Sequence, residues 1–330
     1  MKRFLPNENE TPIVIAEIGG NHGGNLALAQ QMVIEAISAG TRHVKFQTIV
    51  PERLVSSLDP DFEGFSKETL SFEEFEELSR FCRENGAVFL STPFDAGSAD
   101  FLERLQVPAF KIASGDLTYL PFIKHIASKN LPILLSTGAS EFADIDRAVH
   151  LVRGITDAEL ILMHCTAAYP CPDEEANLLL IPELRRRYQC PVGFSDHTLN
   201  VDIALAAAAL GAAVIEKHFT VDRNLPGGDN ALSVVPDELR ALCRGVSRIG
   251  RALGSGVRKK TVSELKIDCR MHRSLVARRF MKASETLAAD DIDGLRPAGG
   301  ISPVETDRLI GKTLRVDVSK GEKFLPEHFL

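Results

Sequence analysis

Eight short apolar runs punctuate the first 220 residues, at 13–16, 44–46, 88–90, 110–113, 133–135, 160–163, 191–194 and 213–215. Each ends at side chains able to do chemistry. In order these are Glu17, Lys45 with Gln47, Thr92, Lys111 with Ser114, Ser136, His164, Ser195 with His197, and Glu216 with His218. Runs of three or four apolar residues bounded by polar ones read as buried strands. The segments between them carry apolar residues at helical spacing, as at 26–40, 72–86, 99–105, 119–129, 142–152 and 200–210, with a last helix at 236–249. Short loops, such as Pro93-Phe94-Asp95 and Gly115-Asp116, join each strand to its helix. Eight strand–helix units predict a closed (β/α)₈ TIM barrel. That fold gathers its reactive groups at the carboxyl ends of its strands, so the pattern predicts an α/β enzyme.

The pattern changes near residue 251. Gly254-Ser255-Gly256 through Arg258-Lys259-Lys260 reads as a linker, and 261–270 as a connecting helix or extended arm. Strand-like material follows at 274–277 and 313–318, cut by turns at Gly294, Pro297, Gly299, Gly300 and Gly321. The expected organisation is a catalytic barrel over 1–252, a linker over 253–271 and a small β-rich domain over 272–330. In the small domain, residues 282–285 and 320–322 weakly echo each other. So small a domain has a thin core and gains stability against a partner.

Composition narrows the function. The 330 residues are 44% hydrophobic and 25% charged, as in globular proteins, with a net charge of −7 that argues against a nucleic-acid surface. Arg185–Arg187 and Arg258–Lys260 read as solvated faces. No apolar run of about 18 residues is present, so no membrane span is expected. The start lacks a secretory signal pattern. Six cysteines at irregular spacing, without a CxxC pair, fit reduced thiols in the cytoplasm. Cys165, beside His164, reads as a small buried filler.

Residues two apart on a strand share a face. Lys45 therefore faces with Gln47, Ser195 with His197, and Glu216 with His218. The last two pairs end adjacent strands, which brings two imidazoles and a carboxylate together at the barrel mouth. Such a pair suits a divalent metal completed by water and substrate. Lys45 and Lys111 sit in otherwise apolar strands, where an unpaired ammonium is costly. A bound phosphate or carboxylate held with Ser114, Ser136 and Ser195 would partner them. Internal pairing with Glu17 or Glu216 is the alternative, and a Schiff base on Lys111 is a further one. Neither GxGxxG after a strand nor GxxxxGK occurs, so no dinucleotide or NTP site is expected.

Ala16-Glu17-Ile18-Gly19-Gly20-Asn21-His22, Val44-Lys45-Phe46-Gln47-Thr48, Ser91-Thr92-Pro93-Phe94-Asp95 and Phe110-Lys111-Ile112-Ala113-Ser114-Gly115 resemble the sialic acid (N-acetylneuraminate) synthase family. So do Leu135-Ser136-Thr137-Gly138, His164-Cys165-Thr166, Ser195-Asp196-His197-Thr198 and Glu216-Lys217-His218-Phe219-Thr220. The tail, with Arg273-Ser274-Leu275-Val276-Ala277 and Leu295-Arg296-Pro297, is similar to that family's antifreeze-like (SAF) domain.

The resemblance implies condensation of phosphoenolpyruvate with an N-acylated mannosamine-type sugar and water, giving a nine-carbon sialic acid and phosphate. It implies that His197 and His218 bind Mn²⁺, with Mg²⁺ or Co²⁺ as alternatives. Thr92, Lys111, Ser114, Ser136 and Ser195 would hold phosphoenolpyruvate. Glu17, Lys45, Gln47, Tyr169 and Asp229 would contact the sugar, and Arg296 would reach it from the partner subunit of a domain-swapped homodimer. Water addition at the pyruvyl C2 needs a base. Asp116, at the fourth strand end, is the candidate; capping of the helix near Tyr119 is its alternative role. With Glu17, Lys111 and Glu216 it completes the candidate catalytic set.

Three positions depart from the family pattern. Asp116 stands where Glu is usual, Ala167 where Asn or Ser is common, and Gly228 where a proline often precedes the sugar-binding aspartate. The acceptor is left open among N-acetylmannosamine, its 6-phosphate and a diacetamido-trideoxy sugar leading to a legionaminic- or pseudaminic-type acid. A Schiff-base pyruvate aldolase acting on the same sugar and a non-catalytic sugar- or ice-binding protein are the rival readings.

Overall fold

The computed structural model describes residues 4–5, 11–59 and 62–330, which divide into two compact units, 1–254 and 255–330. In the first unit eight parallel strands alternate with helices. They are β1 (Ile13–Gly19), β2 (His43–Thr48), β3 (Val88–Pro93), β4 (Phe110–Ile112), β5 (Ile133–Ser136), β6 (Leu160–His164), β7 (Val192–Asp196) and β8 (Val214–His218). Their order is β3-β2-β1-β8-β7-β6-β5-β4, and β3 lies alongside β4, bringing the ends of the sheet together as a nearly closed barrel.

Strand parity explains where the chemistry goes. Ile13 and Ile15 on β1, Leu90 on β3, Leu134 on β5, Ile161 and Met163 on β6 and Val214 on β8 form one apolar cluster with Ala109. Two residues further along the same faces stand Glu17, Thr92, Lys111, Ser136, Cys165 and Glu216. The intervening residues, among them Val14, Ala16, Val44, Phe46, Ile112, Leu135, Leu162, Phe194 and Ile215, join the second cluster, packed with the helices. Both strand faces are therefore buried, as parallel sheets require, and the interior is apolar except for its uppermost layer.

The helices obey ordinary end rules. Phe72–Glu84 is opened by a full capping box between Ser71 and Glu74, and Leu26–Ala39 by Asn25, whose side chain accepts from the Leu28 N–H. Helices Phe62–Glu68 and Leu180–Tyr188 stand where no helix was expected. Arg185–Arg187 lie in the last turn of the latter. Arg187 pairs with Asp146 and Arg185 donates to the Gly211 carbonyl, so this cluster is tied down rather than merely solvated. Helix Pro236–Leu253 runs past the expected end at 249.

The second unit begins with helix Val262–Met271, which decides the segment over 261–270 in favour of a helix. Next come antiparallel β9 (Ser274–Ala277) and β10 (Ile292–Leu295). The expected strand over 313–318 is not continuous. Thr313, Leu314 and Val318 each make an isolated bridge to a different segment, at Thr286, Phe329 and Met281. Met281, Leu314, Val318, Phe324 and Phe329 supply the core, which a coiled path of short bridges closes more readily than one long strand. The echoed segments fold alike: the Glu285 carboxylate accepts from Lys282 N–H, and that of Glu322 from Ser319 N–H.

Candidate active site

The polar layer opens into a cavity of about 380 Å³ at the carboxyl ends of the strands. Glu17, Lys45, Gln47, Thr92, Lys111, Ser114, Ser136, Tyr169, Ser195, His197, Glu216, His218 and Asp229 all line it. Register explains the convergence: Glu17 pairs with Lys45 and with His218, Gln47 with Thr92, and Ser195 with Glu216. A bulge after Glu17 reaches Gly19 at φ +55°, where a Cβ would come within 3.1 Å of both Gln47 and Glu17. Only glycine fits that turn without pushing those two side chains aside.

Two lysines and two carboxylates share the floor. Lys45, 2% exposed, lies 2.7 Å from Glu17 and 3.6 Å from Glu216, and donates to Thr92 Oγ1 at 2.9 Å. Lys111, 5% exposed, donates to Ser136 Oγ at 2.7 Å and stands 3.8 Å from Glu216. Internal pairing therefore reaches both lysines, closely at Lys45 through Glu17 and more loosely at Lys111, which shares Glu216 with Lys45. Burial accordingly lowers the pKa of Lys111, with Glu216 opposing. Burial also opposes the charge of Glu216, but Lys111 and Lys45 outweigh it and hold that carboxyl at about 2. At Glu17 burial wins over Lys45 and lifts the group to about 7. Glu216 Oε1 accepts from Ser195, whereas its buried Oε2 has no hydrogen-bond partner.

The histidine rings of residues 197 and 218 lie 5.6 Å apart, centroid to centroid, with Tyr169 stacked against the first at 4.2 Å. His197 Nδ1 is 2.7 Å from the Thr166 carbonyl, which can only accept. The ring N–H is thus at Nδ1, and Nε2 is the bare, ligand-type nitrogen. His218 Nδ1 is buried without a hydrogen-bond partner, 3.4 Å from Asp229 Oδ2. Burial pushes both imidazoles toward the neutral form a metal requires. The pair fits a divalent cation. Among the described residues no group of three or more His, Cys, Asp or Glu side chains is placed to hold an ion. Such an ion would therefore depend on water and substrate for its remaining positions.

Asp116 stands apart from the lining. Asp116 belongs to the turn Ser114–Asp116 behind Gly115. Its carboxylate caps no helix; Tyr119 begins the next helix without a side-chain cap. Asp116 Oδ2 is buried without a partner, and burial, against Lys111, raises the group to about 6. Arg296 is exposed in the second unit. His164, which ends β6, braces the loop by donating Nε2–H to the Ala176 carbonyl at 2.8 Å.

Cys165, read from the sequence as a buried filler, lines the cavity, as do Phe94 and Phe65, to which the sequence reading gave no role. Cys165 enters the wall with its Sγ 3.1 Å from Ser114 Oγ, and strand parity from Met163 was the available signal. Phe94 follows β3 directly. Phe65 comes from helix Phe62–Glu68, for which no strand-end rule gives a signal.

A family model described as the NeuB family matches residues 32–258, and one described as the SAF domain matches 272–330. The chain is similar to the N,N'-diacetyllegionaminic acid synthase of Legionella pneumophila, at 36% identity over 96% of this chain and 94% of that one. It is 30% identical to the N-acetylneuraminate-9-phosphate synthase of Mus musculus, over 95% and 91% of the two chains. Among solved structures it resembles the N-acetylneuraminic acid (sialic acid) synthetase of Leptospira borgpetersenii, with TM-score 0.76 and 34% identity, covering 80% of this chain and 92% of that one.

Proposed function

The chain belongs to the NeuB family, and from that premise we propose that it is a sialic-acid-type synthase that condenses phosphoenolpyruvate with an N-acylated amino sugar. The observation that carries the reading is the floor of the cavity. There Lys111 and Lys45, both within 4 Å of the one carboxylate of Glu216, stand among the hydroxyls of Thr92, Ser114, Ser136 and Ser195, below a pair of neutral imidazoles. Two buried ammonium groups and four hydroxyls suit the phosphate and carboxylate of phosphoenolpyruvate. Binding of that anion adds a second negative partner to Lys111, which now shares Glu216 with Lys45, and favours its charged form.

Glu17, on the floor beside Lys45, joins Gln47, Tyr169 and Asp229 in taking the acceptor's hydroxyl and amide groups. The Gln47 amide, which donates to Glu17 Oε1 at 3.0 Å, keeps that carboxylate aimed inward. The partner subunit's Arg296, brought by a domain-swapped homodimer, completes the acceptor site. His197 and His218 hold Mn²⁺, which supplies polarisation of the acceptor aldehyde when bound. Attack by C3 of phosphoenolpyruvate leaves a cationic C2. Asp116, set behind the lining, takes a proton through an intervening water from the water that adds there, that proton passes to the alkoxide left on the former aldehyde, and the adduct collapses with loss of phosphate. Among the described residues no helix is long and apolar enough to cross a membrane. All six cysteines are free thiols, which suits a reducing compartment, and on that ground we place the reaction in the cytoplasm.

Phosphate release from phosphoenolpyruvate, measured with an N-acylated mannosamine, tests the reading. Release should stop with EDTA and return with Mn²⁺. Release indifferent to EDTA, together with borohydride trapping of pyruvate on Lys111, would replace it with a Schiff-base aldolase.

A further inference from the structure

Asp229 rides on the segment 219–235, whose only regular structure is the short 3₁₀ turn Asn230–Leu232 and one bridge between Phe219 and Val234. Between residues 222 and 233 the two buried side chains are polar, Asn230 at 1% and Ser233 at 0% exposure. Leu225 packs against the core but stays partly exposed. Apolar burial therefore does little to fix this stretch, and hydrogen bonds fix it instead.

The bonds converge on Asn21, in the loop after β1 and itself 1% exposed. Its Nδ2 donates to the Phe219 carbonyl and to Ser233 Oγ, each at 2.9 Å, and Ser233 Oγ in turn donates to the Asp229 carbonyl at 2.8 Å. Asn230 Nδ2 donates to the carbonyls of Asn21 and Gly227 at 3.3 and 2.9 Å, while its Oδ1 accepts from Thr220 Oγ1. On the other side of Asp229, Gly228 lies flush on Asn21: a Cβ there would come within 2.8 Å of Asn21 Oδ1. Gly228 adopts φ +52°, a conformation closed to proline, and its N–H donates to Glu68 Oε1 at 2.6 Å. The backbone is thus pinned on both sides of Asp229, whose Oδ2 stands 3.4 Å from His218 Nδ1.

The barrel closes without these pins. β1 and β8 are joined by their own ladder, and the Phe219 N–H donates to the Glu17 carbonyl at 2.7 Å. We propose that Asn21, acting with Asn230 and Ser233, is a positioning residue that ties the loop after β1 to the loop after β8 and so sets Asp229 against the acceptor. The inference rests on the synthase reading, in which Asp229 touches the acceptor, and adds the residues that hold it there.

The test measures phosphate release by the full chain with Mn²⁺ and phosphoenolpyruvate. The acceptor is whichever of N-acetylmannosamine, its 6-phosphate and a 2,4-diacetamido-trideoxy sugar the unaltered protein turns over fastest. Asp229→Ala should raise the acceptor KM about thirtyfold, as loss of a charged hydrogen bond does. Asn21→Ala should raise it about tenfold through misplacement of that group, and both should leave the KM of phosphoenolpyruvate unchanged. The Asn21→Ala, Asp229→Ala double variant should be no worse than Asp229→Ala alone, because the pin has nothing left to aim. Losses that multiply, or a KM of phosphoenolpyruvate that rises in step, would make Asn21 a merely structural residue and overturn the inference. Should Asn21→Ala fail to fold, the same cycle run with the milder Ser233→Ala decides between the same outcomes. Hydrogen exchange over 219–235 should quicken in the pin variant; unchanged exchange would overturn the inference and leave the synthase reading intact. No release by the unaltered protein with any of the three sugars would bring down that reading, and the role given to Asn21 with it.

Discussion

The last two strands of the barrel present two polar layers of opposite character. Toward the interior stand Ser195, His197, Glu216 and His218; toward the helices, one residue out of phase, stand Asp196 and Lys217. The outward pair is complete. Lys217 Nζ lies 2.7 Å from Asp196 Oδ2 and donates also to the Thr198 carbonyl. Asp196 Oδ1 accepts from Thr198 N–H and Oγ1 at 2.9 and 2.8 Å. Both side chains are about as buried as the core, at 1% and 0% exposure. The inward set is equally buried but incomplete, with Glu216 Oε2 and His218 Nδ1 unpartnered. Burying a polar group without a partner costs stability, so unpartnered groups on the wall of a cavity are open to water or to a ligand. Satisfaction of hydrogen bonds, and not burial or charge, separates a structural ion pair from a site on the same two strands.

Removing one partner from each layer should break the symmetry between stability and activity. Lys217→Ala leaves the Asp196 carboxylate buried and uncompensated and should cost about 3–5 kcal/mol of folding stability in denaturant titration. Replacing both members, by Asp196→Leu with Lys217→Met, should recover most of that loss. A double variant as unstable as the single one would show that the pair does more than satisfy itself. His218→Ala removes a nitrogen that has no partner to strand. It should lower kcat/KM by about a thousandfold, the several kcal/mol that a bound cation supplies to developing negative charge. The thermal midpoint should move by no more than about 3 °C, roughly 1 kcal/mol. Mn²⁺ binding by calorimetry should weaken in parallel. Unfolding on this substitution would place His218 in the structural layer instead.

That contrast was only half legible in the sequence. The barrel was readable because both strand faces are apolar below the mouth, so each strand stands out as a short run, and the period of two then sorts Glu216 and His218 from Lys217. Whether a residue is satisfied was not readable, since it depends on neighbours from other strands. Asp196 and Lys217 stand in the sequence motifs without a role of their own, although they form a fully buried, hydrogen-bonded ion pair. Asp229 was reachable only through family resemblance. It lies 11 residues beyond His218, on a loop held by contacts distant in sequence: Asn21 donates to Ser233 Oγ and to the Phe219 carbonyl, and Asn230 to the Asn21 carbonyl. Glu68 and Phe65 come from a seven-residue helix with no buried residue of its own to mark it. In the second unit, bridges of single residue pairs leave no alternating pattern from which 313–318 could be read correctly.

Asp116 extends the comparison beyond β7 and β8, because it too has a buried, unpartnered oxygen and yet does not line the cavity. If its incompleteness marks function, its charge state must set the rate. Burial raises its pKa to about 6, so the carboxylate, the form able to accept a proton, is lost as pH falls through that value. At saturating substrates kcat should therefore be flat above about pH 7 and fall tenfold per unit well below 6. Asp116→Asn, which preserves shape and cannot take a proton, should reduce kcat about a hundredfold, the usual worth of a positioned base, and abolish the acidic limb. Asp116→Glu, which keeps a carboxylate at the position, should retain the limb. Undiminished kcat in the Asp116→Asn protein would assign Asp116 to the structural layer. Its unpartnered oxygen would then be a tolerated defect, and the rule drawn from β7 and β8 would hold only for side chains that reach the cavity wall.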